Sequence, residues 1–288
     1  MKTVNENGVK LPAPLRIISR LKVAGLLGIM AAAAVVLFLL SFTMGQFHIG
    51  LSEVASVILS KIFGLKAFWP QSVELVIFHI RMPRIIAAVV IGGVLALSGT
   101  TFQGIFNNPL VAPDILGASA GAAFGAALGI FLRAGNFSTQ ILAFVFGIAA
   151  VMLTFFISRV AGKGANVTLI LILAGMVISD FFTAFVSLIQ YLADPANLLQ
   201  QAIAFWLMGG LSTLSMNDVL IAMIPMILGS AALYILRWRL NILSFGDDEA
   251  NSMGIDAGKT RLAMLCCTTL ITSASVAVGG IIGWVGLI

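Results

Sequence analysis

Asp180 is a carboxylate set inside an apolar run, residues 167–191, that is long enough to cross a bilayer. An ionisable group there is costly in hydrocarbon and usually faces a bundle interior or a water-filled path, where it can meet a solute or couple to an ion. The competing reading is structural, with Ser179, Thr183 or another helix holding the carboxylate by hydrogen bonds. Arg81 and Arg84, in Arg81-Met82-Pro83-Arg84, stand at the mouth of another apolar run. Arginines there either snorkel to lipid headgroups or form an electrostatic docking site for an acidic partner. Pro83 suits a helix start, where its missing N–H is not needed. Asp247, Asp248, Glu249 and Asp256 gather four of the eleven acidic residues in the segment 238–259. Such a cluster is disfavoured beside an anionic leaflet, which points to a protein partner. His48 and His79 are isolated and read as interfacial side chains. Cys266 and Cys267 are adjacent and lack metal-site spacing, so no metal site is expected. The chain has no G-x-x-x-x-G-K-[ST] loop for ATP, and neither H-E-x-x-H nor G-x-S-x-G, so no hydrolase is expected in it.

The elements that position these residues are membrane helices. The chain is 60% hydrophobic and 9% charged, with a mean hydropathy of +1.10. Soluble domains carry about 25% charged residues, so too little polar surface is available here for a water-facing fold. The expected fold is all-α, a single polytopic transmembrane bundle over 1–288. About seven spans are expected, at 23–44, 84–106, 114–133, 137–158, 167–191, 217–237 and 260–279. The run Ala202 to Leu211 is too short to span and reads as re-entrant or interfacial. Residues 1–22 form a basic tail, and the apolar run after it is too long for a cleaved signal. With that tail cytoplasmic, eleven Lys and Arg lie inside and five outside, which predicts a cytoplasmic N-terminus. The net charge of +5 is spread between the spans and gives no nucleic-acid patch. Residues 45–80 become an outer loop and 238–259 an inner one. Within the inner loop a short helix is expected, capped by Ser244 or Asp247 and ended by Gly254. Gly117, Gly121, Gly125 and Gly129 recur every fourth residue and predict a ridge that lets a neighbouring backbone approach closely. Asn107-Asn108-Pro109-Leu110 is a turn, either a plain connector or a constriction at the end of a path.

Several blocks, in order, resemble one family. They are Arg81-Met82-Pro83-Arg84, Ala96-Leu97-Ser98-Gly99 running to Gln103-Gly104-Ile105-Phe106, Asn108-Pro109-Leu110, and Leu116-Gly117-Ala118-Ser119-Ala120-Gly121. They continue with Leu173-Ala174-Gly175, Phe205-Trp206-Leu207-Met208-Gly209-Gly210, Gly246-Asp247 to Ala250 with Gly254, and the closing stretch from Gly279. Together they are similar to the permease subunit of ABC importers for iron–siderophore complexes, haem and vitamin B12, the type II, FecCD-like importers. The resemblance runs from about residue 75 onward.

The resemblance implies a permease in the cytoplasmic membrane that pairs with a second permease subunit, identical or similar. Two ABC ATPase subunits, which hold ATP and Mg, would bind below, and a substrate-binding protein would dock outside. Arg81 and Arg84 would meet acidic residues of that binding protein. Ser244, Gly246, Asp247, Asp248, Glu249, Ala250 and Gly254 would form the coupling segment seated in the ATPase. Asn108 and Leu110, with Asn166 and Thr168, would lie near the cytoplasmic gate, and the span bearing Asp180 would line the path at the dimer interface. The chain departs from the pattern at Asn251, where a basic residue is common, and at Asp180, where a small or neutral one is usual. Relatives continue past Ile288 with further helices, so a fragment is expected. A ferric siderophore is the expected cargo, with haem and cobalamin as the others the resemblance allows. The alternative function is an ion-coupled secondary transporter with Asp180 as its coupling carboxylate.

Overall fold

The computed structural model describes residues 13–45, 47–63, 69–161, 167–194, 196 and 198–283, and the side chains among these except 13–22, 62, 167–168 and 247. All regular secondary structure among the described residues is helical, with no strand among them. The chain divides into two compact units, Met1–Ile85 and Ile86–Ile288.

The first unit holds α1 (Ala13–Ser41), α2 (Leu51–Phe63) and α3 (Gln71–Leu75). From Val23 to Leu40 the exposed face of α1 is wholly apolar, as a helix bathed in lipid requires. Phe42, Ile49, Val54, Val57, Val73 and Ile77 form this unit's buried cluster. The segment expected as an outer loop is therefore largely helical. From α3 the chain runs on through a π turn, Val76–Arg81, into α4 (Met82–Phe106), one apolar helix of 36 residues from Gln71. Pro83 is thus inside a helix and not at its start. Proline cannot donate to the carbonyl four residues earlier and crowds it, and a widened π turn just before it accommodates both effects.

The second unit contains the rest of α4, then α5 (Ala118–Phe131), α6 (Asn136–Ala161), α7 (Val167–Leu192), α8 (Leu199–Leu207), α9 (Met216–Leu243), α10 (Asp247–Ser252) and α11 (Ala257–Gly279). Among the described residues six helices are long and apolar enough to span a membrane, and α5 is a shorter apolar helix. The expected span at 114–133 starts late because Pro113–Leu116 form a 3₁₀ turn and Gly117 adopts φ +85°. That left-handed conformation favours glycine, and it aims α5 into the middle of the bundle. In α9, Ser215 and Asp218 form a reciprocal capping box.

Three glycines explain how α5 is buried. A Cβ at Gly121 would lie 2.6 Å from the Ala150 Cβ and overlap the Phe146 carbonyl oxygen. One at Gly125 would lie 2.6 Å from the Leu142 carbonyl carbon, and one at Gly129 would be 2.9 Å from the Thr139 Cα. These three lie along α6 with backbone against backbone, the packing that substitutes for a hydrophobic driving force in lipid. Gly117 lies outside this ridge; its turn abuts Ser179 and Ile178 of α7. Ala122, Ala126 and Ala143 are fully buried beside it. Ser98 of α4 and Thr272 of α11 share a hydrogen bond of 2.9 Å, and the Thr154 hydroxyl donates to the Leu116 carbonyl at 3.0 Å.

Candidate functional site

At one end of the second unit, the C-terminal turns of α4 and α9 meet, with Gly104 against the Leu240 side chain. The Asn107–Pro113 connection and α10 therefore share that end. Asn107 has φ +48°, and the Asn108 side-chain oxygen accepts from the Leu110 N–H at 2.9 Å. This self-bonded turn holds Leu110 outward at 77% exposure while Val111 is buried at 1%. An apolar side chain so displayed is suited to meet another surface. Asn166 lies outside the described residues, and Thr168 is on the first turn of α7 at the same end.

α10 is a single acidic turn-and-a-half slung between α9 and α11. Its N-cap is Gly246, without a side-chain cap, so neither Ser244 nor Asp247 caps it. Ser244 closes α9 instead, its hydroxyl donating to the Asn241 carbonyl at 2.7 Å. Sequence spacing alone did not separate one helix's end from the next one's start. The stop expected at Gly254 is present: Gly254 has φ +78°, its N–H reaches Asn251 O at 3.0 Å, and the Ile255 N–H reaches Ala250 O at 3.0 Å. Ala250 is wholly buried against the core that includes Leu243 and Ala257, which fixes the turn in place. Asp248 and Glu249 face outward, flanked by Phe245 at 70% and Met253 at 62% exposure. Charge framed by two exposed apolar side chains is the make-up of a protein contact. Sequence reasoning found the acidic residues and passed over Phe245 and Met253, whose signal was their position at the two ends of the short helix.

Asp256 begins α11. Its carboxylate accepts from the Lys259 N–H at 2.9 Å and pairs with the Lys259 ammonium at 3.0 Å. The backbone donor, then the side chain, hold its pKa below the ordinary carboxylate range.

α7 has two unlike faces. Ile178, Phe182, Val186 and Ile189 are buried. Ile178 and Phe182 pack with Ala150 and Phe124, and Val186 and Ile189 with Ala123 and Ala127. Gly175 on that side lets the Ile115 carbonyl come against the helix. The opposite face carries Leu169, Leu173 and Met176, then Asp180, Thr183 and Ser187, all exposed, with Gln190 half-buried. The hydroxyls expected to hold Asp180 are engaged elsewhere: Ser179 donates to Gly175 O at 2.8 Å and Thr183 to Ser179 O at 2.8 Å. The polar continuation through Thr183, Ser187 and Gln190 was readable from a three-and-four spacing, but only burial shows which face it occupies.

In the first unit the two arginines have different surroundings. Arg81 is 7% exposed, and its guanidinium donates to the Phe42 and Phe47 carbonyls, bracing the connection between α1 and α2. Arg84 is half-buried and lines, with Met44, Phe47 and Ile80, a crevice of about 620 Å³. No three of the described His, Cys, Asp and Glu side chains come together as a metal site.

Residues 33–288 match the family model described as the FecCD transport family. Over 254 residues the chain is 36% identical to the molybdate import system permease protein MolB of Haemophilus influenzae, covering 88% of this chain and 74% of that protein. It is 40% identical over 218 residues to an iron chelatin transport system permease protein of Helicobacter pylori, covering 76% of this chain and 65% of the relative. The chain thus spans about two thirds to three quarters of these relatives' length. A solved structure described as an inward-facing ABC transporter of the metal-chelate type superposes with a TM-score of 0.78 at 34% identity, covering 92% of this chain and 79% of that one. With its all-helical fold, six helices among the described residues long and apolar enough to span a membrane, and a family match over most of its length, this chain is a multi-pass membrane protein of the FecCD transport family.

Proposed function

We propose that this chain is the permease subunit of an ATP-driven importer that moves a metal chelate across the cytoplasmic membrane by alternating access. The observation that carries this reading is α10, a short acidic helix pinned by Ala250 and displaying Asp248, Glu249, Phe245 and Met253. It is the coupling contact to a separate ATPase, which binds ATP and Mg. The basic residues support its side. Arg159, Arg237, Arg239, Lys259 and Arg261 cluster at the α10 end of the second unit, with Arg133 at the other, which supports a cytoplasmic α10 end. Leu110 and Asn108 then contribute to the cytoplasmic gate, and the exposed stripe of α7 lines the path where a second permease subunit faces it. Arg84 contributes charge for the extracytoplasmic binding protein, while Arg81 holds the backbone that shapes that surface.

The test is co-purification. Asp248→Lys combined with Glu249→Lys reverses the charge of α10 without touching its buried anchor. The double variant inserts normally and loses the ATPase in a gentle detergent extraction. Undiminished recovery of the ATPase would sink the coupling role.

A further inference from the structure

Asp180 lies near the midpoint of α7 on the face turned away from α5 and α6, and it is the one charged residue of that helix. A carboxylate at that depth is excluded from lipid by its cost, so this face meets water or a partner chain. Of the residues that follow it at helical spacing, Thr183 and Ser187 are polar, while Ala184 and Leu188 beside them are exposed and apolar. The Thr183 and Ser187 hydroxyls satisfy their own donors on the preceding turn, at 2.8 and 3.1 Å, and leave lone pairs free to accept. Asp180, Thr183 and Ser187 thus form a narrow polar stripe on an exposed face whose other side chains, Met176, Val177, Phe181 and Leu188 among them, are apolar.

We infer that Asp180 selects cargo by charge, so that the chelate carried is neutral or cationic and multiply charged anions are turned away. The inference rests on the reading that the α7 stripe lines the path. Molybdate, the cargo named for one relative, is a dianion and would approach a fixed carboxylate in a confined, poorly screened site. The polar residues Thr183, Ser187 and Gln190 supply acceptors and an amide for the hydroxyl and amide rim of a chelate, with no cation among them to favour an anion. In a pair of identical chains the path would hold two such carboxylates, doubling the field.

The test measures the field directly and needs no knowledge of the cargo. In the full-length protein in its own membranes, with Cys266 and Cys267 changed to Ser, single cysteines are placed by Thr183→Cys and by Ser187→Cys. Each is treated with a cationic and an anionic methanethiosulfonate of similar size at low salt, and the two rates are compared with and without Asp180→Asn. Thr183 is one helical turn from Asp180, about 5–6 Å between Cβ atoms. Asp180→Asn is expected to lower the cation-to-anion rate ratio there roughly tenfold or more, and less at Ser187. Asp180→Glu should keep the ratio high. A ratio that does not move, with both reagents reacting, overturns charge selection and leaves the path reading standing. If neither reagent reaches either cysteine, the stripe is sealed in a contact, and the path reading falls together with the inference.

Discussion

Replacing Gly125 by alanine tests how closely α5 and α6 approach. The added Cβ would stand 2.6 Å from the Leu142 carbonyl carbon and 2.8 Å from the Ala143 nitrogen, with the Leu142 oxygen closer still. All of these atoms are backbone, so no side chain can swing aside and α6 must retreat by about 1 Å to restore ordinary contact. Overpacking of this kind costs ~1–3 kcal/mol. Alanine returns ~0.5–1 kcal/mol through its better helix propensity, leaving a net loss centred on ~1 kcal/mol. Gly93 of α4 is the control, since a Cβ there meets nothing within 4 Å. Gly93→Ala should be neutral or stabilising by up to ~1 kcal/mol. The assay is thermal unfolding of the purified full-length protein in one detergent, followed by tryptophan fluorescence. The Gly125→Ala midpoint should fall by roughly 2–6 °C while that of Gly93→Ala holds or rises. Equal upward shifts in the two variants would refute the backbone-on-backbone contact.

Two further outcomes follow from the polar contacts. Arg81→Lys keeps the charge but not the fork that reaches both the Phe42 and Phe47 carbonyls. Amide exchange in residues 42–50 should accelerate in it nearly as much as in Arg81→Gln, whereas full protection would mean that only the charge matters. Asp256, whose pKa is depressed in the fold by the Lys259 N–H, stabilises the start of α11 at pH values above the unfolded carboxylate pKa. That contribution is lost as pH falls through the lower folded pKa. Protection of the first turn of α11 should therefore drop on acidification in the wild type and stay flat in Asp256→Asn; parallel profiles would remove the cap from the account.

Much of the architecture was legible because lipid imposes simple rules. Apolar length located the six long helices found among the described residues and read a seventh where the shorter α5 lies, and a four-residue glycine period located the buried face of α5. What the sequence misplaced depended on contacts between segments. Pro83 suits a helix start because its missing N–H costs nothing there, and the π turn that carries the helix through it has no marker in residue type. Gly117 shares the glycine period but sits at a left-handed corner, since the 3₁₀ turn before it comes from Pro113 and from the Thr154 hydroxyl holding the Leu116 carbonyl. Arg81 and Arg84 look alike in sequence, and only the return of the chain between α1 and α2 supplies the carbonyls that turn Arg81 inward.

Asp180 gives the sharpest case of a residue whose meaning lies in its neighbours. Sequence left it between a satisfied structural group and a path residue, because Ser179 and Thr183 stand within reach on either reading. In the fold each of those hydroxyls donates its single proton to a carbonyl of α7 itself, the usual resort of serine and threonine inside apolar helices. The carboxylate is then left on the open face, opposite Ile178 and Phe182, which seal the helix to α5 and α6. One helix thus carries a buried apolar side that anchors it and an exposed, largely apolar side on which Asp180, Thr183 and Ser187 form a narrow polar stripe that needs water or a partner. Because both sides share one backbone, any tilt that changes how α7 seats on α5 and α6 also moves Asp180, Thr183 and Ser187 as a set.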